Sequence, residues 1–186
     1  YYSGTDDNSG DNIDEPGERP RILRTLAMER ALSKSSRITK VCCGSHFTLA
    51  LTSDGRVYSW GDGSQGCLGH GSVSDEKEPR QCVALFEKNP ITQISTGSSH
   101  SVFLSTDNNV YTCGEGSDGR LGLGDTDSRS IPTKVDLEIG AILSISCGWD
   151  FTMIVAIEGP ESKKGRNIFS QFFSSTKITS MQGVDS

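Results

Sequence analysis

A 53-residue internal repeat constrains this chain more than any other feature. Shifted by 53 residues, Ile38–Gly71 falls on Ile91–Gly124 without a gap, and fifteen of the 34 positions are identical. The pairs include Gly44/Gly97, Asp54/Asp107, Val57/Val110, Tyr58/Tyr111 and five glycine pairs running from Gly61/Gly114 to Gly71/Gly124. The register persists to Pro79/Pro132. A period of about 50 residues points to a propeller or solenoid, because each unit buries its apolar faces only against its neighbours. A third copy opens at Ile145, where Ser146-Cys147-Gly148-Trp149-Asp150-Phe151-Thr152 lines up with Cys42-Cys43-Gly44-Ser45-His46-Phe47-Thr48. Tyr1–Gly4 and Pro20–Leu23 resemble the back half of a repeat. The chain therefore divides into 1–37 (the end of a preceding repeat plus a connection), repeats at 38–90 and 91–141, the start of a further repeat at 142–159, and an insertion or tail at 160–186, partly disordered. Opening inside one repeat and losing the pattern inside another, it is expected to be a segment of a larger protein.

Each copy reads as short antiparallel strands. Phe47–Leu51 and Ser101–Leu104 are apolar runs of strand length. Asp54-Gly55 follows the first, the strongest short hairpin signal, and Asp107-Asn108 takes its place in the second, with asparagine also able to supply a positive φ. Returning strands follow at Arg56–Trp60 and Asn109–Cys113, then a loop of five glycines, then a proline-marked extended stretch. The 21 glycines weaken helices and favour such turns. An all-β chain is expected, with one short surface helix over residues 25–32. In the tail, Asn167–Phe173 reads as an edge strand after an insertion or as a non-propeller extension. No apolar run is long enough for a transmembrane helix, and the polar, acidic N-terminus does not read as a targeting segment.

The formal net charge of −6 argues against a protein built to bind phosphate backbone, so nucleic acid is not the expected partner. Six cysteines, at 42, 43, 67, 82, 113 and 147, include no CxxC pair and read as reduced, packed thiols of an intracellular protein, cytoplasmic or nuclear. Gly61-Asp62-Gly63-Ser64-Gln65-Gly66 and Gly114-Glu115-Gly116-Ser117-Asp118-Gly119 are literal GxGxxG strings, the pattern of a dinucleotide cradle. That chemistry needs a helix after the third glycine, and more glycines follow instead, so both read as structural loops. Cys67 and His70 have the spacing of two zinc ligands, but Arg120 and Leu123 replace them in the next copy, so no metal site is expected. Trp60 and Trp149 read as aromatics packed within blades, and the acidic segment Asp6–Glu18 as a solvated loop. No grouping suits covalent or acid–base catalysis, and no cofactor is expected.

Gly97-Ser98-Ser99-His100-Ser101-Val102-Phe103-Leu104, followed by Asp107, Val110-Tyr111, Gly114 and Gly119-Arg120-Leu121-Gly122-Leu123-Gly124, resembles the regulator of chromosome condensation repeat. The resemblance covers 38–137 fully and 1–23 and 142–159 partly. It implies a seven-bladed β-propeller, of which this chain supplies about three to four repeats as four-stranded antiparallel blades, with the remaining blades as partners. The repeat positions it marks as structural are Gly44, Gly61, Gly66, Gly69, Gly71, Gly97, His100, Gly114, Gly119, Gly122, Gly124 and Gly148. Phe47 and Phe151 stand where the second copy has His100, so that histidine reads as structural rather than catalytic. The resemblance implies two roles. The first is a non-enzymatic protein-interaction module within a larger scaffold or regulatory protein. The second is guanine-nucleotide exchange on a small Ras-like, Ran-type GTPase.

Overall fold

The computed structural model describes residues 36–82, 89–137, 139–157 and 168–173. The expected helix over 25–32, the acidic segment, the remnant at 1–23 and the rest of the tail lie outside them. The described residues form eleven strands in three antiparallel sheets, one per copy of the repeat. The first blade holds β1 (Ile38–Cys43), β2 (Phe47–Thr52), β3 (Val57–Gly61) and β4 (Glu76–Gln81), hydrogen-bonded in that order. The second repeats it with β5 (Ile91–Thr96), β6 (His100–Ser105), β7 (Val110–Gly114) and β8 (Arg129–Lys134). In the third, β9 (Ile142–Cys147) and β10 (Thr152–Ile157) are joined by β11 (Ile168–Phe173), which pairs with β10 from Phe173 opposite Thr152 to Ile168 opposite Ile157. This is part of a β-propeller.

The two hairpin turns sit where the sequence signals place them. Gly55 takes φ +80° in the first and Asn108 φ +64° in the second. In each, a hydroxyl two residues before the turn aspartate caps it: Thr52 donates to Asp54 at 2.6 Å, and Ser105 bonds Asp107. Pro79 and Pro132 fall in β4 and β8, strands at the edge of their sheets, where a missing N–H is tolerated.

The core lies between blades. Strands β2 and β6 are buried along both faces, and in β6 the side chains alternate between the first and third sheets. Phe47, Leu49 and Leu51 meet Ile91, Ile94 and Phe103 across the first seam. Val102 and Leu104 meet Ile145 and Ile154 across the second. Trp60 packs with Ala50 and Tyr58 on the opposite face of the first blade. The position of Val41, which is 53% exposed, is occupied by Ile94 (0%) and Ile145 (4%) in the following blades, where a preceding sheet covers it.

Candidate functional site: the seam and loop end of the blades

Because Gly61 pairs with both Phe47 and Glu76, the turn 44–46 and the glycine loop 62–75 leave the first blade at one end. Gly114, paired with His100 and Arg129, puts 97–99 and 115–128 at the same end of the second. The turn 148–150 completes the row. These segments carry seven carboxylates (Asp62, Asp75, Glu115, Asp118, Asp125, Asp127 and Asp150) against one cation, Arg120. Hydrogen bonds from Ser64 hold the Asp62 carboxyl below its usual range. Trp149 stands out of this end, 72% exposed, which corrects its reading as a buried blade aromatic. Ser45 and Ser98 hold the same column of the repeat, Ser45 exposed and Ser98 8% exposed against the third blade's turn. Ser45 N–H donates to the Ser98 carbonyl at 3.1 Å, and Ser98 N–H to the Trp149 carbonyl at 2.8 Å, stepping from blade to blade.

Below each turn a ring lies on a glycine. A Cβ on Gly44, Gly97 or Gly148 would collide with Phe47, His100 or Phe151 respectively. His100 is fully buried, and its Nε2 lies 3.0 Å from Thr152 Oγ1 across the second seam. Thr152 Oγ1 in turn donates to the Arg120 carbonyl at 2.9 Å, as Ser101 Oγ donates to the Cys67 carbonyl at 2.7 Å across the first seam. These hydroxyls were not singled out from the sequence. Their signal was there, a Thr or Ser after the ring position in all three copies: Thr48, Ser101 and Thr152.

Arg120 is a second residue the sequence reading did not place. Its side chain is 7% exposed, its Nη1 lies 3.1 Å from Glu115 Oε2 and its Nη2 3.2 Å from Asp118 Oδ2, while Nε donates to the Ser117 carbonyl at 2.9 Å. This fork ties the second glycine loop into a knot. The first loop, with Cys67 in place of the arginine, uses a thiol bond to the Asp62 carbonyl at 3.3 Å.

The glycine loops close on themselves. A Cβ on Gly63 would overlap the Ser74 carbonyl, and one on Gly116 the Asp127 carbonyl, so the space of a phosphate cradle is filled by the loop's own return leg. The second GxGxxG ends in a three-residue 3-10 turn, Ser117–Gly119, and opens no α-helix. Gly61 and Gly114 adopt φ +110° and +112°, and Gly66, Gly69, Gly71, Gly119, Gly122 and Gly124 are also left-handed. Cys67 and His70 are engaged apart: His70 Nε2 lies 2.9 Å from Ser59 Oγ. Burial pushes the Cys67 and Cys82 thiols up to about 12 and holds Cys113 well above its ordinary value, and all six cysteines are free thiols. Among the described residues, no group of three His, Cys, Asp or Glu is placed to hold a metal ion, and no helix is long and apolar enough to cross a membrane.

The pattern of the Regulator of chromosome condensation (RCC1) repeat matches residues 54–104 and 107–155, and a second form of it matches 38–67 and 91–120. The chain belongs to the RCC1 repeat family. Among curated relatives, the serine/threonine-protein kinase Nek9 of Xenopus laevis is 35% identical over 153 residues, covering 81% of this chain and 16% of the kinase. The E3 ubiquitin-protein ligase HERC2 of Homo sapiens is 40% identical over 126 residues, covering 67% of this chain and 3% of the ligase. The chain thus spans a small share of these relatives' own length. Among solved structures, Prp20p from Saccharomyces cerevisiae superposes with a TM-score of 0.63 at 22% identity, over 70% of this chain and 33% of that one. Human WBSCR16 gives the same TM-score at 20% identity, over 75% and 34%. These two likenesses establish the shared propeller fold.

Proposed function

We propose that this RCC1-repeat propeller is a non-enzymatic protein-interaction module that docks a protein partner on its loop end. One observation carries the reading: Trp149 stands 72% exposed in a row of turns whose backbones are locked to one another across both seams. Large aromatics are enriched among residues that dominate protein interfaces, and loops on a rigid scaffold are where recognition residues concentrate. The surrounding carboxylates favour a partner segment rich in Lys and Arg over nucleic acid. The relatives support a modular role, since the stretch that matches this chain is 16% of a protein named as a kinase and 3% of one named as a ubiquitin ligase. Neither enzyme's activity carries over through so small a share. The free thiols suit an intracellular setting, cytoplasmic or nuclear.

The test is quantitative affinity capture with the full chain as bait, comparing it with Trp149→Ala and Asp150→Lys, neither of which removes a packed contact. Partners that bind the loop end drop at least tenfold with both variants while melting is unchanged. Partners retained in full by both would place recognition elsewhere and sink the reading. A second reading, exchange on a small Ras-like GTPase, draws on the fold shared with Prp20p, a protein with binding properties to Gsp1p and histones. Release of mant-GDP from a GTPase panel by catalytic amounts of the chain tests it, and basal rates throughout would reject it.

A further inference from the structure

We propose that the seam between the second and third blades is a proton-sensitive hinge, opened by protonation of His100, a switch that the seam between the first and second lacks because Phe47 fills that position. The geometry fixes the histidine's state. Thr152 Oγ1 spends its one proton on the Arg120 carbonyl, so toward His100 it accepts, and the imidazole carries its proton on Nε2. Nδ1 is then bare, buried, and without a hydrogen-bond partner among the described residues. It faces the Gly97 backbone on one side, and the Gly148 carbonyl lies against the same glycine.

A second proton on Nδ1 would charge a ring that has been stripped of water. The charged groups around it are Arg120, from the loop after β7, which opposes that charge, and Asp150, from the turn before β10, which favours it. Glu115 and Asp118 already hold the Arg120 guanidinium. Burial is the largest influence, and it lowers the histidine from 6.5 to about 4. In the open seam the ring returns to its ordinary value. Neutral His100 therefore favours the closed seam fully above pH 6.5, and that preference is lost as pH falls toward about 4. The first seam has Phe47 at the same position; the histidines near that seam are His46, exposed in the turn, and His70 on the glycine loop, whose Nε2 lies 2.9 Å from Ser59 Oγ within the first blade. Opening would part the Ser98–Ser99 turn from Trp149, splitting the loop end.

Backbone amide exchange followed by NMR on the full chain tests this. After correction for intrinsic rates, exchange at Ser98, whose N–H bonds the Trp149 carbonyl across the second seam, is expected to rise about 30-fold from pH 8 to pH 5. The Ser45 amide, bonded to the Ser98 carbonyl across the first seam, is expected to change little. His100→Phe copies the residue of the other two blades and leaves Asp150, Glu115 and Asp118 in place. It removes the Ser98 response if the histidine is its source. An equal rise at Ser45, or a response that survives His100→Phe, overturns the proposal. Should the variant not fold, the wild-type ring decides alone: a titration midpoint far below 6.5 supports the hinge, and one near 6.5 refutes it.

Discussion

Replacing Gly97 by alanine measures what the glycine-on-ring contact contributes. Gly97 is not among the left-handed glycines, so its backbone accepts alanine without strain, and reduced freedom in the unfolded chain would even favour the change by about 0.4–1 kcal/mol. The whole penalty is therefore steric. The new Cβ collides with the His100 ring and stands 2.8 Å from the Gly148 carbonyl oxygen, so the ring has to leave its place. Overfilling a packed site costs about 1–3 kcal/mol. Losing the Nε2 bond to Thr152 with the donor still buried costs about another 1–3 kcal/mol. A net loss of about 2–4 kcal/mol is expected, a melting drop on the order of 10 °C for a chain of this size. The decisive measurement is the cycle with His100→Ala. Once the ring is gone only the Gly148 carbonyl still crowds the Cβ, so adding Gly97→Ala to His100→Ala should cost much less than Gly97→Ala costs alone, a coupling that is most of the single-variant loss. Additive losses in denaturant melts would show that the glycine is not there for the ring.

Gly66 and Gly119 occupy the same repeat position in different surroundings. Both are left-handed, at φ +79° and +68°, but a Cβ on Gly66 would lie 2.8 Å from Ser130 Cα in β8 while one on Gly119 meets nothing within 4 Å. Gly119→Ala should cost about 1–2 kcal/mol for φ alone, and Gly66→Ala at least about 1 kcal/mol more for displacing β8; equal melting of the two would refute this. Alkylation at pH 8, followed by mass spectrometry, should mark exposed Cys43 first and leave Cys67, Cys82 and Cys113 unmodified until unfolding, because burial holds them as thiols. Those same raised values contribute stability below pH 9 that is lost as pH climbs toward about 12, visible as a falling melting temperature. Arg120→Lys should cost about 1–2 kcal/mol despite keeping the charge, since a point ammonium cannot reach Glu115, Asp118 and both Ser117 oxygens at once; unchanged melting would show that the fork is not holding the loop.

The all-β blades, the strand order within a repeat and both hairpin turns were legible because they rest on local chemistry repeated at a fixed period. Asp54-Gly55 and Asp107-Asn108 solve one backbone problem with two residues able to adopt positive φ. The seams were less legible, since they join residues far apart in the chain: His100 to Thr152, Ser101 to Cys67, and Gly66 to Ser130. Arg120 was missed because its burial comes from carboxylate and hydroxyl partners folded back within five residues, which periodicity does not register.

Trp149 shows where residue type misled and position would not have. A tryptophan in a weakly apolar chain invites burial, but its column is a turn position that the other copies fill with Ser45 and Ser98, so no large apolar side chain is required there. The columns separate two kinds of residue. Those shared by the copies, such as Gly44, Gly97 and Gly148 under their rings, are dictated by stacking one blade on the next. Those that depart from their column are not needed for stacking, because the other copies do without them. His100 stands between two phenylalanines, Arg120 opposite a cysteine, and Trp149 beside two serines. All three departures gather at one seam: His100 bonds Thr152, Thr152 bonds the Arg120 carbonyl, and the Trp149 carbonyl receives the Ser98 N–H. The chemistry that distinguishes this chain from a generic stack of blades is thus concentrated at the junction of its second and third repeats, beneath the face proposed to meet its partner.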